Sequence, residues 1–456
     1  MKKLLIVLAV LLILVIGGGY AGMRALNLSI NDLQANIDVG TGMSAKLACS
    51  GWHLSGLGEQ QIYADIDSYT PISSVLNLRF SADKRTVQTN ILGLGHGSAT
   101  FRPGLGCTLD VGDTRTLDTL QMQPPQRSAA PWPEGSAVDA LTESTQALME
   151  EILATDNAAG YHTRALLMAV DGKIVAEAYA PGFNAQSQLL GWSMGKSLTA
   201  MMLGRLEALG RVTSQQTPGF TPWQSDERSD ITLEHLLHMS SGLDFSEVYA
   251  PGSDATRMLF NAHSASDVAI QSGQAHAPGS HFYYSSGTTN LLSRFITDEL
   301  GGPQAALDFL RREFYEPLNL ADTTFEPDAS GVLVGSSYLY ASARDWAKLG
   351  QLMLDNGRWG NQQILTPEWV ARATSPNTSS NDPRYGYQFW LNSGSNELRW
   401  PTLPADAYAM SGNRAQSVTV VPSAGVVLVR LGWTNGFYPR EENFARLLNT
   451  IQVRAD

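Results

Sequence analysis

The stretch Gly191-Trp192-Ser193-Met194-Gly195-Lys196-Ser197 decides how the rest of the chain is read. Ser193 and Lys196 stand three apart, which on a helix places both side chains on one face. A serine hydroxyl is a poor nucleophile until a base removes its proton. A lysine is that base only when neutral, and burial lowers its pKa by disfavouring the ammonium form. Leu198, Ala200, Met201, Met202 and Leu203 follow and supply an apolar setting. A hydroxyl at a helix start also sits where backbone N–H groups face incoming negative charge. Alone, S-x-x-K is a common chance spacing, so its company must decide.

The same stretch spells G-x-S-x-G, the strand–Ser–helix elbow that needs an Asp and a later His. The eight histidines end at His281, and no HGGG segment precedes the serine at a suitable distance. Gly95-His96-Gly97 is the nearest approach to one and lies far upstream. The elbow reading is therefore disfavoured. Downstream of Ser193 lies Pro278-Gly279-Ser280-His281-Phe282-Tyr283-Tyr284-Ser285-Ser286. A tyrosine beside a Ser–Lys pair can relay the proton to a leaving group. An isolated tyrosine is by default a core aromatic, so Tyr284 becomes a candidate only through the motif.

Working outward, residues 137–154 carry helical periodicity through Leu141, Leu148, Ile152 and Leu153. Ala165–Val170 and Ile174–Tyr179 flank Asp171-Gly172, a strong hairpin signal. Residues 193–209 read as a helix ending at Gly210, and 231–239, 288–300, 304–314 and 341–356 as further helices. Ser417–Pro422 and Gly425–Leu431 form a second pair of β runs, and short helices are expected at 369–371 and 444–453. Hairpins distant in sequence, separated and followed by helices, predict an α+β fold: an antiparallel sheet flanked by helices plus a helical subdomain.

Ahead of this unit, residues 24–122 read as a small β-rich N-terminal domain, with Gln61–Ile66 and Val87–Ile91 as candidate strands. Residues 123–136, QPPQRSAAPWPEGS, read as a linker, and the main domain runs from 137 to 456. Lys2 and Lys3 precede an uncharged stretch from Leu4 to Gly22, whose apolar part, Leu4–Ile16, has the length of a signal-peptide core. With Gly17–Gly22 it is marginally long enough to span a bilayer. Cleavage after Ala21 is one reading of residues 1–23; the length of the run favours the other, an uncleaved anchor with its basic end inside. Either way the expectation is export, to the periplasmic side of an inner membrane, with membrane contact through this segment.

The two cysteines, Cys49 and Cys107, both lie in the N-terminal quarter. In an oxidising compartment a disulfide between them is the natural reading, two free buried thiols the alternative. Two cysteines alone make no zinc site, and no motif implies a metal or cofactor. The net charge of -12 argues against nucleic-acid partners, since an acidic surface repels phosphate. His235 and His238 share one helix face but lack a third ligand at sensible spacing.

Taken together the motifs resemble the serine β-lactamase and penicillin-binding protein superfamily. The nearer likeness is to class C β-lactamase-related hydrolases, including esterases and 6-aminohexanoate-dimer hydrolases. The segments are Ser193-Met-Gly-Lys196, Ile231-Thr-Leu-Glu-His-Leu-Leu-His-Met-Ser-Ser-Gly-Leu243, Tyr284-Ser-Ser286, Ser342–Gly350, Tyr385–Trp390 and Ser411-Gly412 with Gln416, in the right order from about 137 onward. Ala48-Cys49 and Arg102–Cys107 resemble the leader domain of the exported branch. The resemblance implies a β-lactamase/transpeptidase-like fold, with Ser193 as acylated nucleophile, Lys196 as general base and Tyr284 as general acid/base. It implies an oxyanion hole from the backbone N–H groups of Ser193 and Asn413, and substrate contacts from Trp192, Ser286, Ser411 and Gly412. Two departures stand out. Ser286 replaces the Asn of Y-x-N, and Met410 replaces the cation of K/H-T/S-G, which removes the partner of a β-lactam carboxylate. The expected activity is therefore hydrolysis of carboxylic esters or linear amides of small-molecule size. A non-catalytic penicillin-binding or peptidoglycan-sensing module is the competing class, and a weak β-lactamase the third.

Overall fold

The computed structural model describes residues 30–451. The export segment expected at 1–23 lies outside the described residues. Among those described, no helix is long and apolar enough to cross a membrane.

The chain opens with α1 (Ile30–His53) and α2 (Glu59–Asp67). An antiparallel sheet follows, made of β1 (Leu76–Phe80), β2 (Thr86–Ile91), β3 (Leu94–Arg102) and β4 (Gly106–Leu109). This N-terminal unit holds the expected β-sheet and, beyond the β-rich reading, two helices packed with it. Gln61–Ile66 belongs to α2, because Ile62 and Ile66 are buried one helical turn apart and form a helical stripe. Val87–Ile91 is a strand, as read. The Cys49–Cys107 disulfide ties α1 to β4.

Residues 123–136 have no helix or strand but are packed against the main domain rather than free. Trp132 is buried, Arg127 pairs with Asp322, and the Ser128 N–H donates to Asn319 Oδ1 over 2.9 Å.

The main domain runs through α3 (Glu143–Ala158), β5 (Thr163–Val170), β6 (Lys173–Tyr179), α4 (Gly195–Ala208), α5 (Ser286–Leu300) and α6 (Ala343–Leu354). It closes with β7 (Trp390–Leu391), β8 (Tyr408–Gly412), β9 (Gln416–Val421), β10 (Val426–Gly432) and α7 (Arg440–Leu448). The six strands form one antiparallel sheet in the order β7-β8-β9-β10-β5-β6. The two hairpins read from the sequence turn where expected: Asp171 and Gly172 both take positive φ, the pairing that a two-residue turn between twisted strands requires.

Every residue of β9 and β10 is buried, because both faces of the sheet are covered. Alternate residues go to opposite sides. Val427 and Val429 join Leu349 and Leu352 of α6 in the larger core. Val426 and Leu428 join Met149 and Ile152 of α3 and Phe444 and Leu447 of α7 in the smaller one. The N-terminal and C-terminal helices thus share one face, and α6 lies on the other.

Candidate active site

Ser193 lies in a 3-10 turn, Trp192–Met194, that runs directly into α4. The turn is tightly constrained. Trp192 has a left-handed φ of 48°, and a Cβ on Gly191 would sit 2.2 Å from Trp346 Cζ2. Gly191 and Gly195, which mimic the hydrolase elbow in sequence, are thus packing glycines. A Cβ on Gly195 would press on the Gly335 carbonyl at 3.1 Å.

Lys196 follows one turn later on α4 and is wholly buried. Its Nζ lies 3.2 Å from Ser193 Oγ, 2.9 Å from Ser286 Oγ and 3.0 Å from the Ser336 carbonyl oxygen. Burial pulls its pKa down to about 8, opposed by the Glu247 carboxylate. The Ser336 loop is itself fixed by Asn290 of α5, which bonds both the Ser336 hydroxyl and its N–H.

Tyr284 closes the third side. Lys196 Nζ lies 4.9 Å from its ring centroid. Burial raises the phenol's pKa well above its ordinary value, and the neighbouring Ser193 side chain acts to lower it. The ring stacks on Trp390 at 5.0 Å and meets Tyr385 edge-on at 5.8 Å, so the Tyr385–Trp390 aromatics hold the tyrosine in place. The 231–243 segment packs below: the Met239 carbonyl accepts from the Tyr283 N–H, and its sulfur from the Ser285 N–H.

The end of β8 abuts the Ser193 turn. A Cβ on Gly412 would fall 2.0 Å from the Gly191 carbonyl oxygen and 3.2 Å from Ser193 N. Asn413 follows at once and opens the turn Asn413–Ala415.

Two expected substrate contacts are placed differently. Ser286, the first residue of α5, is completely buried; its hydroxyl accepts from Lys196 and donates to Glu247 Oε1 over 2.6 Å. It faces the lysine, not an open cleft. Ser411 points to the α3/α7 face, as its neighbour Met410 packs in the opposite core, and its hydroxyl accepts from Arg440 over 2.9 Å. Strand alternation forces this: with Met410 on the side of the larger core, Ser411 offers that side only its backbone.

Glu247 is the residue the sequence did not reveal. It accepts from the Ser286 hydroxyl, the Ser286 N–H (2.7 Å) and the Tyr249 hydroxyl (2.9 Å). It arrives on an irregular loop with no motif or periodicity to mark it. His235 and His238 stay structural: His235 completes a capping box with Thr232, and His238 packs edge-on against Tyr387.

The family model described as Beta-lactamase matches residues 145–454, two thirds of the chain. The chain belongs to the Beta-lactamase family. Among curated proteins it is similar to 6-aminohexanoate-dimer hydrolase of Paenarthrobacter ureafaciens, 22% identical over 286 residues, 59% of this chain and 72% of that one. Among solved structures it resembles EstCE1, a hydrolase with promiscuous acyltransferase activity (TM-score 0.56, 17% identity, 67% of this chain and 100% of that one). It also resembles a penicillin-binding protein homologue from Caulobacter crescentus (TM-score 0.51, 18% identity, 68% and 97%). At such identities the structures share the fold. The mixed architecture with its antiparallel sheet is the β-lactamase/transpeptidase-like fold of this hydrolase family. Residues 30–144 precede the matched region.

Proposed function

We propose that the chain hydrolyses carboxylic esters or linear amides through an acyl-enzyme on Ser193. The observation that carries this reading is the placement of Lys196. A neutral amine has two hydrogens and one lone pair. The Ser336 carbonyl can only accept, and Ser286 accepts because its own hydrogen goes to Glu247. Both amine hydrogens are thereby used, and the lone pair is left facing Ser193 Oγ at 3.2 Å.

In the forward step Lys196 takes the hydroxyl proton as Ser193 Oγ bonds to the substrate's carbonyl carbon. The negative charge on the tetrahedral oxygen is met by the N–H groups of Ser193 and Asn413; one such donor is worth about 10²–10³ in rate. The Tyr284 hydroxyl, kept protonated by burial, passes a proton to the leaving alcohol or amine as the carbon–leaving-group bond breaks, and is reprotonated from Lys196. Water then attacks the acyl-enzyme by the reverse relay, releasing the acid and restoring Ser193.

Met410 is buried in the core where the sequence pattern leads one to look for a cation, which favours an ester or amide over a β-lactam. The apolar run of residues 4–22 supports an exported, membrane-proximal enzyme. The test is p-nitrophenyl ester hydrolysis by wild type, Ser193→Ala and Lys196→Ala. We expect both variants to lose at least about 10³ in kcat, in line with removal of a nucleophile or its base. Equal slow hydrolysis by all three would leave only a binding module.

A further inference from the structure

A cavity of about 730 Å³ lies between the N-terminal unit and the main domain. On one side it is lined by Trp192, Tyr249 and Asn413, and on the other by Leu33, Ile37 and Met43 of α1, backed by Ile72 and Ile91. We propose that this cavity is the acyl-binding subsite of the Ser193 reaction and takes the extended apolar acyl chain of an ester. The proposal rests on the catalytic reading given above and adds the substrate class to it.

Position is the first argument. Trp192 precedes the nucleophile, Asn413 carries the second oxyanion N–H, and the Tyr249 hydroxyl lies 3.5 Å from Ser286 Oγ. Three wall residues therefore belong to, or touch, the reacting centre. A substrate carbonyl held between Ser193 and Asn413 has this cavity beside it.

Chemical character is the second. The volume falls within the range of about 300–1,000 Å³ that holds a small-molecule ligand, and such sites are lined mainly by apolar groups. Among the described residues, Arg414 is the one charged side chain of the wall, and it is engaged: its guanidinium lies 3.7 Å from the Tyr69 ring centroid and donates to the Ser68 carbonyl over 2.8 Å. Among the described residues, the wall holds no carboxylate. An acyl group ending in an ammonium would be desolvated there without a partner, whereas an alkyl chain loses only water. Leu33 and Tyr249, 42% and 53% exposed, add apolar surface at the mouth.

The third argument is that the wall is held in place. Lys46 of α1 is paired inside the protein with Glu326 of the main domain, and Ser50 donates to the same carboxylate over 2.9 Å. A Cβ on Gly42 would strike the Phe260 carbonyl at 2.3 Å, so α1 lies directly against the main domain. All the α1, β2 and Tyr69–Ile72 contributions precede residue 145, where the family match begins. The subsite is a feature of this chain's additional unit.

The test uses the full chain with p-nitrophenyl acetate, butyrate and octanoate, comparing wild type, Ile37→Trp and Leu33→Glu. Ile37→Trp fills the cavity, and Leu33→Glu places a charge at its exposed mouth, where folding is not at stake. We expect wild-type kcat/KM to rise at least about tenfold from acetate to octanoate, since each buried methylene favours binding several-fold. Each variant should lower octanoate turnover at least about fivefold and leave acetate within about twofold, the acetate rate serving as the folding control. Ser193-dependent acetate hydrolysis with no rise to octanoate, or variants that move all esters alike, would overturn the subsite alone. Ester hydrolysis that survives Ser193→Ala would overturn the catalytic reading and the subsite with it.

Discussion

At the scale of single residues, the site is a balance of two effects on one amine. Burial drives Lys196 towards neutrality, and the Glu247 carboxylate, reached through Ser286, opposes it. In the proposed mechanism the reactive form is the neutral one. kcat/KM should therefore climb with pH and level off above about 8, the folded-state value. The sign for stability follows the same shift. Between about 8 and the ordinary 10.5 the unfolded chain binds the extra proton, so this group makes the fold more stable as pH rises through that window. Glu247→Gln removes the charge that raises the lysine's pKa, so the rising limb should move to lower pH; a limb that stays put would show that Glu247 does not act on Lys196. That Ser193, Lys196 and Tyr284 come together was legible in the sequence, because one helical turn fixes the first two and a short motif marks the third. Glu247 was not, because its contact with Ser286 spans 39 residues and depends wholly on tertiary folding.

At the scale of elements, the Ser193 turn and the end of β8 are built to approach closely. Gly412→Ala puts a methyl 2.0 Å from the Gly191 carbonyl, so either β8 or the Ser193 turn must move. The expected outcome is a fall in kcat of at least about 10², the worth of one oxyanion donor, with thermal unfolding still cooperative. The hairpins around Asp171-Gly172 and before Gly425 were legible because turn chemistry is local. α1 was not: its sequence carries Gly40, Gly42 and Gly51, poor helix formers. Packing against β3 and the main domain decides its structure, and a helix stabilised mainly by tertiary burial leaves a weak local signal. The same limit explains α2, where a six-residue window cannot separate alternation from a helical stripe.

At the scale of the whole molecule, one cross-link staples the additional unit to itself and a second holds that unit on the hydrolase fold. Cys49 and Cys107 close a loop with a sequence separation of 58. In the chain-entropy account, replacing both with Ser should lower stability by about 4 kcal/mol, read from the urea midpoint. The buried Lys46–Glu326 pair is the second link. Lys46→Met leaves a buried carboxylate without its partner and should cost about 3–5 kcal/mol, while Lys46→Met with Glu326→Leu should recover much of that loss. A reducing compartment would weaken the first link and leave the second.

The most direct measurement is intact-protein mass spectrometry after exposure to a fluorophosphonate, followed by peptide mapping, on wild type, Lys196→Ala and Ser193→Ala. A single adduct on Ser193, formed much more slowly in Lys196→Ala and absent in Ser193→Ala, is the predicted result. An adduct on another residue, or labelling of Ser193 at the same rate without the lysine, would contradict it.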